Sequence, residues 1–257
     1  MKSFVRSRFS VLLNAVIMLA ILPTLFACGN TAASPPAKPT AHPTGTSNAP
    51  AINPANFVAV IDNPYLPLRP GTTFIAEGIK DGAKERIVTS VSHATKVILG
   101  VTCVAVWDRV FSNGKLEEDT TDWFAQDKEG NVWYFGEDSK DIQNGVVTST
   151  LGSFVAGIDG AQPGIVMQAH PTVGKSYHQE YYKGKAEDMA QIVSLTGTAS
   201  VPYGHFNNLI VTKEWTPLEP GAVERKYYAP GVGWIRTTFD GSSDEETLVK
   251  ITSGIGG

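Results

Sequence analysis

From Phe57 onward, apolar and polar positions alternate with a period of two, in short runs broken by turn residues. "FIAEGI", "RIVTSVSHATKVILGVTCVAVWDRVF", "DWFAQ", "NVWYFG", "QIVSLTGTASV", "LIVTKEW", "ERKYYAP" and "WIRTTF" are rich in β-branched and aromatic residues. "KDGA", "SNGK", "KEGN", "IQNG", "LEPG" and "APGVG" punctuate them. Alternation of this kind suits a half-buried strand, and Asp-Gly or Asn-Gly between two runs suits a tight hairpin. The pattern predicts an all-β, mainly antiparallel body, with no stretch holding a helical period; "GKAEDMAQIV" comes nearest and is short. Neighbouring aromatics such as Trp123 and Phe124, Trp133 and Tyr134, or Tyr227 and Tyr228 must point to opposite faces of a strand. Both faces of the sheet therefore have something to cover.

The pattern also repeats. "GTTFIAEGIKDGAKERIVTSV" at Gly71 aligns with "GKSYHQEYYKGKAEDMAQIVSL" at Gly174, pairing Phe74 with Tyr177 and Glu77 with Glu180. "DWFAQDKEGNVWYF" then matches "KYYAPGVGWIRTTF" in character. This predicts two meander repeats, about 71–135 and 174–239, joined by residues 136–173. Neither half buries its apolar face alone, so the two should form one barrel or strongly bent sheet.

"DNPYLPLRPGTTF", "DWFAQDKEGNVWYFGED", "EDMAQIVSL" and "KYYAPGVGWI" resemble a group of bacterial secreted proteins and lipoproteins of unassigned function, over Asp62 to about Phe239. That group is loosely similar to periplasmic lipoprotein-carrier and lipocalin-like half-barrels. The resemblance implies a fold and an address. It carries no catalytic residues.

The N-terminus speaks to the address directly. Lys2, Arg6 and Arg8 precede an apolar stretch, Phe9 to Ala27, with the small residue Ala27 at its end. A basic start and a short apolar core form a secretory signal, and "LFAC" resembles the bacterial lipobox. Residues 1–27 are thus expected to be a lipoprotein signal peptide, with Cys28 the lipidated first residue after processing. From Gly29 to Asn56 the chain is mostly Ala, Thr, Ser and Pro, and Lys38 is its only formal charge. Such a segment cannot form a core, so 28–56 is expected to be a disordered tether, with 57–257 the β-rich domain. Removing 1–27 deletes three cations and no acid, taking the formal net charge from −4 to −7. That balance argues against a nucleic-acid partner, which needs clustered Lys and Arg. The expected location is the outer face of the cell envelope, with the membrane as partner through the lipid. With Cys28 acylated, Cys103 has no disulfide partner and is expected to be a buried, inert thiol.

Candidate chemistry concentrates in "AHPTVGKSYHQEYYKGKAEDMA". If Ser176–Tyr182 is one strand, His178 and Glu180 share a face, and the following turn returns Glu187 and Asp188 toward them. With His170 from the connector, imidazole and carboxylates within reach could hold a zinc-class metal or do acid–base work. No HExxH or closed Cys/His set is present, and nothing names a cofactor or a particular metal. The repeat adds Glu77, equivalent to Glu180, as a carboxylate that a twofold could bring near it across a barrel mouth. "DKEGN" lacks the alternating oxygens and distal Glu of a calcium loop and is expected to be a turn.

The leading reading is a membrane-tethered extracytoplasmic β-domain with a ligand-binding or accessory role, its ligand a small molecule or envelope component. A secreted hydrolase or metal-dependent enzyme using residues 170–188 is the second reading. An envelope scaffold without a small-molecule site is the third.

Overall fold

The computed structural model describes residues 52–253. The signal-like segment, Cys28 and all but the last few residues of the expected tether lie outside the described residues. A short 3-10 turn, Pro54–Asn56, leads into β1 (Phe57–Val58). Then follow β2 (Thr72–Lys80), β3 (Ala83–Ile98), β4 (Val101–Ser112), β5 (Lys115–Asp127) and β6 (Val132–Gln143). The connector carries β7 (Val146–Ser149), β8 (Phe154–Val155) and β9 (Gln162–Met167). After it come β10 (Ser176–His178), β11 (Glu180–Tyr181), β12 (Met189–Val201), β13 (Gly204–Trp215), β14 (Val223–Ala229), β15 (Gly233–Phe239) and β16 (Glu245–Ser253). All sixteen strands join one antiparallel sheet, and no α-helix occurs among the described residues. The all-β antiparallel expectation holds.

The sheet curls into a nearly closed up-and-down barrel. Successive strands pair with one another, and β16 returns to β2. The two ends of the strand order are β10, paired with β12, and β11, paired with β9. These are halves of one short segment, so the sheet meets itself there. The expected single strand Ser176–Tyr182 is broken at Gln179, because its two halves serve different neighbours. Gly164 of β9 makes the approach feasible: a Cβ there would lie 2.4 Å from the Gln179 carbonyl carbon and 2.6 Å from the His178 oxygen. Gly164→Val should therefore pry the seam open and cost about 1–3 kcal/mol through overpacking. Faster amide exchange confined to 176–181 would report it; an unchanged seam would count against this role for the glycine.

The predicted tight turns have the backbone their residues suit. Asp81–Gly82, Asn113–Gly114 and Asn144–Gly145 all have positive φ at both positions, between 48° and 79°, the twist that matches antiparallel strands. These turns lie at one end of the barrel, with the 182–188, 216–222 and 240–244 connections. The chain enters at the other end, where Phe57 pairs with Asp127.

Residues 61–68, the core of "DNPYLPLRP", plug that entry end. Gln126 Oε1 accepts from the backbone N–H of Asp62 and Asn63 at 2.9 and 2.8 Å. Asn63 Nδ2 donates to the Gly130 carbonyl at 2.8 Å, and Gly231 N donates to the Pro64 carbonyl at 2.7 Å. The plug thus ties the β5–β6 turn to the β14–β15 turn. Proline has no N–H to leave unsatisfied inside a barrel. Ile61, Leu66 and Leu68 join the interior cluster built on Val106, Phe124, Tyr134 and Ile210. Two further clusters cover other surfaces of the sheet: Trp123, Phe135 and Cys103 under Phe57, and Leu209, Ile235 and Leu248 with Phe206.

Two local details recur in the 71–135 and 174–239 segments. Gly71 N donates to Val91 O at 2.8 Å, and Gly174 N to Ile192 O at 2.9 Å. A register shift adjoins the aromatic pair Phe124–Tyr134 in one stretch and Tyr228–Trp234 in the other.

Candidate functional site

Period-two alternation sends every second residue of β4, β5, β6, β13 and β14 inward, and many of these are charged. Nine carboxylic side chains are buried among the described residues, against one lysine and no arginine. Burying a charge without a partner is costly, so each group's surroundings matter.

One set surrounds Tyr134, which is fully buried. Its hydroxyl lies 2.6 Å from Asp122 Oδ1 and 2.9 Å from Glu137 Oε2. A phenol has one proton to donate. Two carboxyl oxygens at these distances therefore require a second proton, carried by Asp122 or Glu137. Burial pushes the Asp122 carboxyl well above its ordinary range, and the charges of Glu137, Asp108 and Glu118 push it further, against the Tyr134 hydrogen bond. The phenol is raised as well, first by burial, then by Asp122, Glu137 and Glu180. Hydroxyls support the set: Thr120 Oγ1 lies 2.9 Å from both Glu118 Oε1 and Ser139 Oγ, and Thr89 donates to Asp108 at 3.1 Å.

The second set centres on Lys226. Its Nζ lies 2.9 Å from both Glu214 Oε2 and Glu224 Oε1. Burial works against the ammonium, but Glu214 and Glu224 outweigh it and hold its pKa well above the ordinary value. Burial, then the Glu214 charge, raises Tyr177 and Tyr228.

A cavity of about 290 Å³ lies beside the lysine, between β2–β4 and β14–β16. Its floor is Leu66–Leu68 of the plug, its walls include Asp108, Lys226, Tyr228 and Glu246, and its mouth is formed by 80–81, 221–223 and 239–244. It opens toward the end opposite the chain's entry. Asp108 borders both the cavity and the Tyr134 set.

The candidates from the 170–188 segment and Glu77 are spread over different surroundings. His170 and His178 are exposed, and His178 stacks edge-on against Tyr181 at 5.3 Å. Glu180 and Asp188 are buried, and Glu180 acts on Tyr134. Glu187 accepts from Gly184 N at 2.6 Å within the turn. Glu77 is about half exposed and ion-paired with Arg86 at 2.6 Å, so it does not share the buried setting of Glu180. No group of three or more His, Cys, Asp or Glu suited to a metal ion occurs among the described residues. The cavity-lining Lys226 and Glu246, and the Asp122–Tyr134–Glu137 set, were not among the sequence candidates. Their signal was available: acids and a lysine at inward positions of strongly apolar strands. Cys103 is buried, and its thiol is pushed up to about 12 by that burial, leaving it an inert core residue.

No family model matches the chain, and no curated protein matches it significantly. Among solved structures it is similar to a candidate exported protein with a YmcC-like fold from Bacteroides fragilis, at 16% identity over 74% of this chain and 99% of that one, with a TM-score of 0.43. It is also similar to a candidate lipoprotein from Parabacteroides distasonis, at 11% identity over 73% of this chain and 98% of that one, with a TM-score of 0.35. At these values the likeness identifies neither a family nor an activity.

Proposed function

We propose that this chain is a lipid-anchored extracytoplasmic binding protein whose barrel takes a small ligand. The observation that carries the reading is the cavity of about 290 Å³ in the barrel, with charged and aromatic side chains in its walls. That volume is at the lower edge of the range for small-molecule sites. Its mouth lies at the end away from β1. We also infer that segments 71–135 and 174–239 are copies of one unit, supported by the matching glycine hydrogen bonds and register shifts.

Two measurements test the reading. Cys28→Ser should shift the protein from the membrane to the soluble fraction or stall its processing; a mutant that is cleaved normally and stays with membranes sinks the anchor. For the site, a thermal-shift panel of sugars, amines, metals and lipids should yield a stabilising compound. Ala222→Trp at the mouth should abolish that response without lowering the protein's own melting temperature. A silent panel, or a response that survives Ala222→Trp, would favour a scaffold without a small-molecule site.

A further inference from the structure

We propose that the barrel cavity takes an uncharged, hydroxyl-rich ring, a monosaccharide; this rests on the reading of the cavity as a binding site. The charged side chains in its walls already answer groups of the protein. Lys226 lies 2.9 Å from both Glu214 and Glu224. Asp108 accepts from Thr89 at 3.1 Å, and neither Asp108 nor Glu246 is without a partner. At the rim, Arg225 holds Asp240 at 3.0 Å, and Lys80 Nζ sits 5.4 Å from the centre of the Phe239 ring. The remaining rim acids, Asp81 and Asp244, border solvent, where salt screens them. The walls therefore give a charged ligand no advantage over a neutral one.

What the lining offers is hydrogen bonding beside aromatic surface. A carboxylate has about four acceptor sites, so one that holds a lysine can still accept from a hydroxyl. Glu224 keeps 16% of its side chain exposed while it pairs with Lys226. Ser242 and Lys80 add donors at the mouth. A hydroxyl both donates and accepts, so a polyol uses both kinds of group. A wholly apolar ligand would cover Glu224 without replacing the water it displaces, which is costly. Phe74, Tyr228 and Trp234 line the same space, and Trp234 is fixed by its Nε1–H on Thr237 Oγ1 at 2.9 Å. The C–H face of a sugar ring is apolar and packs on aromatic rings, while its hydroxyls reach outward from the edge. A volume of about 290 Å³ suits one such ring rather than a chain of them.

The test separates ring, hydroxyls and charge. Glucose, galactose, mannose and N-acetylglucosamine are titrated calorimetrically into the full chain, purified in a detergent that carries no sugar. Erythritol has hydroxyls without a ring, cyclohexanol has a ring without the hydroxyl array, and glucosamine and glucuronate add a charge to glucose. At least one of the four neutral sugars should bind, with little dependence on salt. Erythritol and cyclohexanol should not bind, and charge should bring no gain. Trp234→Ala should weaken the sugar about tenfold or more, with Ala222→Trp, which fills the mouth, as the second variant if Trp234→Ala fails to fold. Cyclohexanol binding as tightly as the best sugar overturns the inference while leaving a binding cavity in place. So does glucosamine or glucuronate binding more tightly than every neutral sugar. Silence of all four sugars, or binding that survives the variants, also overturns it; the broader reading falls only if the full thermal-shift panel is silent too.

Discussion

Lys226→Met is expected to destabilise the barrel by about 3–5 kcal/mol, the cost of leaving a buried carboxylate without its cation. Lys226 is the one buried basic side chain among the described residues, and it holds Glu214, which is 0% exposed, at 2.9 Å. Thr212 donates to Glu214 at 2.6 Å but brings no charge. In the mutant, Glu214 must ionise in an apolar wall or take up a proton. The loss should therefore be largest at alkaline pH and shrink as the medium becomes acidic. Lys226→Met combined with Glu214→Gln removes both charges and should recover most of the stability. Urea unfolding of the two variants at acid and alkaline pH checks this. If the double variant is no more stable than the single one, the lysine matters by packing alone.

The second large effect runs the other way. Asp122→Asn should stabilise the protein, and the gain should grow with pH. The folded-state pKa of Asp122 is raised, chiefly by burial and then by Glu137. Below its unfolded pKa of about 3.9 the carboxyl is protonated in both states and carries no penalty. Above that value the unfolded chain releases the proton while the native barrel keeps it, so stability falls as pH rises toward and through the native pKa. One proton of difference is a slope of about 1.4 kcal/mol per pH unit, and Asp122→Asn should remove up to that much of it. Other acids face the same group: Asp108 from β4, Glu118 from β5, Glu137 from β6 and, through Tyr134, Glu180 from β11. Part of the slope will therefore remain. Tyr134→Phe is the complementary change. It removes the hydroxyl that lies 2.6 Å from Asp122 and 2.9 Å from Glu137, and should cost about 1–3 kcal/mol. Chemical denaturation of both variants between acid and mildly alkaline pH decides the matter. An Asp122→Asn variant with the wild-type pH slope would mean that Glu137, not Asp122, retains the proton.

Much of the architecture was legible along the chain. Strand type follows from alternation, because a sheet with one buried face needs period two. The positions of several turns follow from Asp-Gly and Asn-Gly, because few other pairs take positive φ twice without cost. The plug was visible as "DNPYLPLRP" but not its task, since Asn63 meets Gly130 and Pro64 meets Gly231 only after the barrel has formed. The candidate site was harder to read for the same reason. A cluster close in sequence, His170 to Asp188, looked like convergent chemistry. A break at Gln179, where pairing passes from β12 to β9, left His178 exposed while Glu180 went inside.

By itself, the sequence determined that this is an antiparallel β protein with tight hairpins, because those choices depend on neighbours within a few residues. The tertiary structure alone decided that the sheet closes on itself and which acids end up inside it. It also decided that Asp122 and Glu137 share the hydroxyl of Tyr134, that Lys226 answers Glu214, and that a cavity stays open beside them. Those outcomes depend on register across strands far apart in sequence, where a shift of one residue sends every side chain to the opposite face.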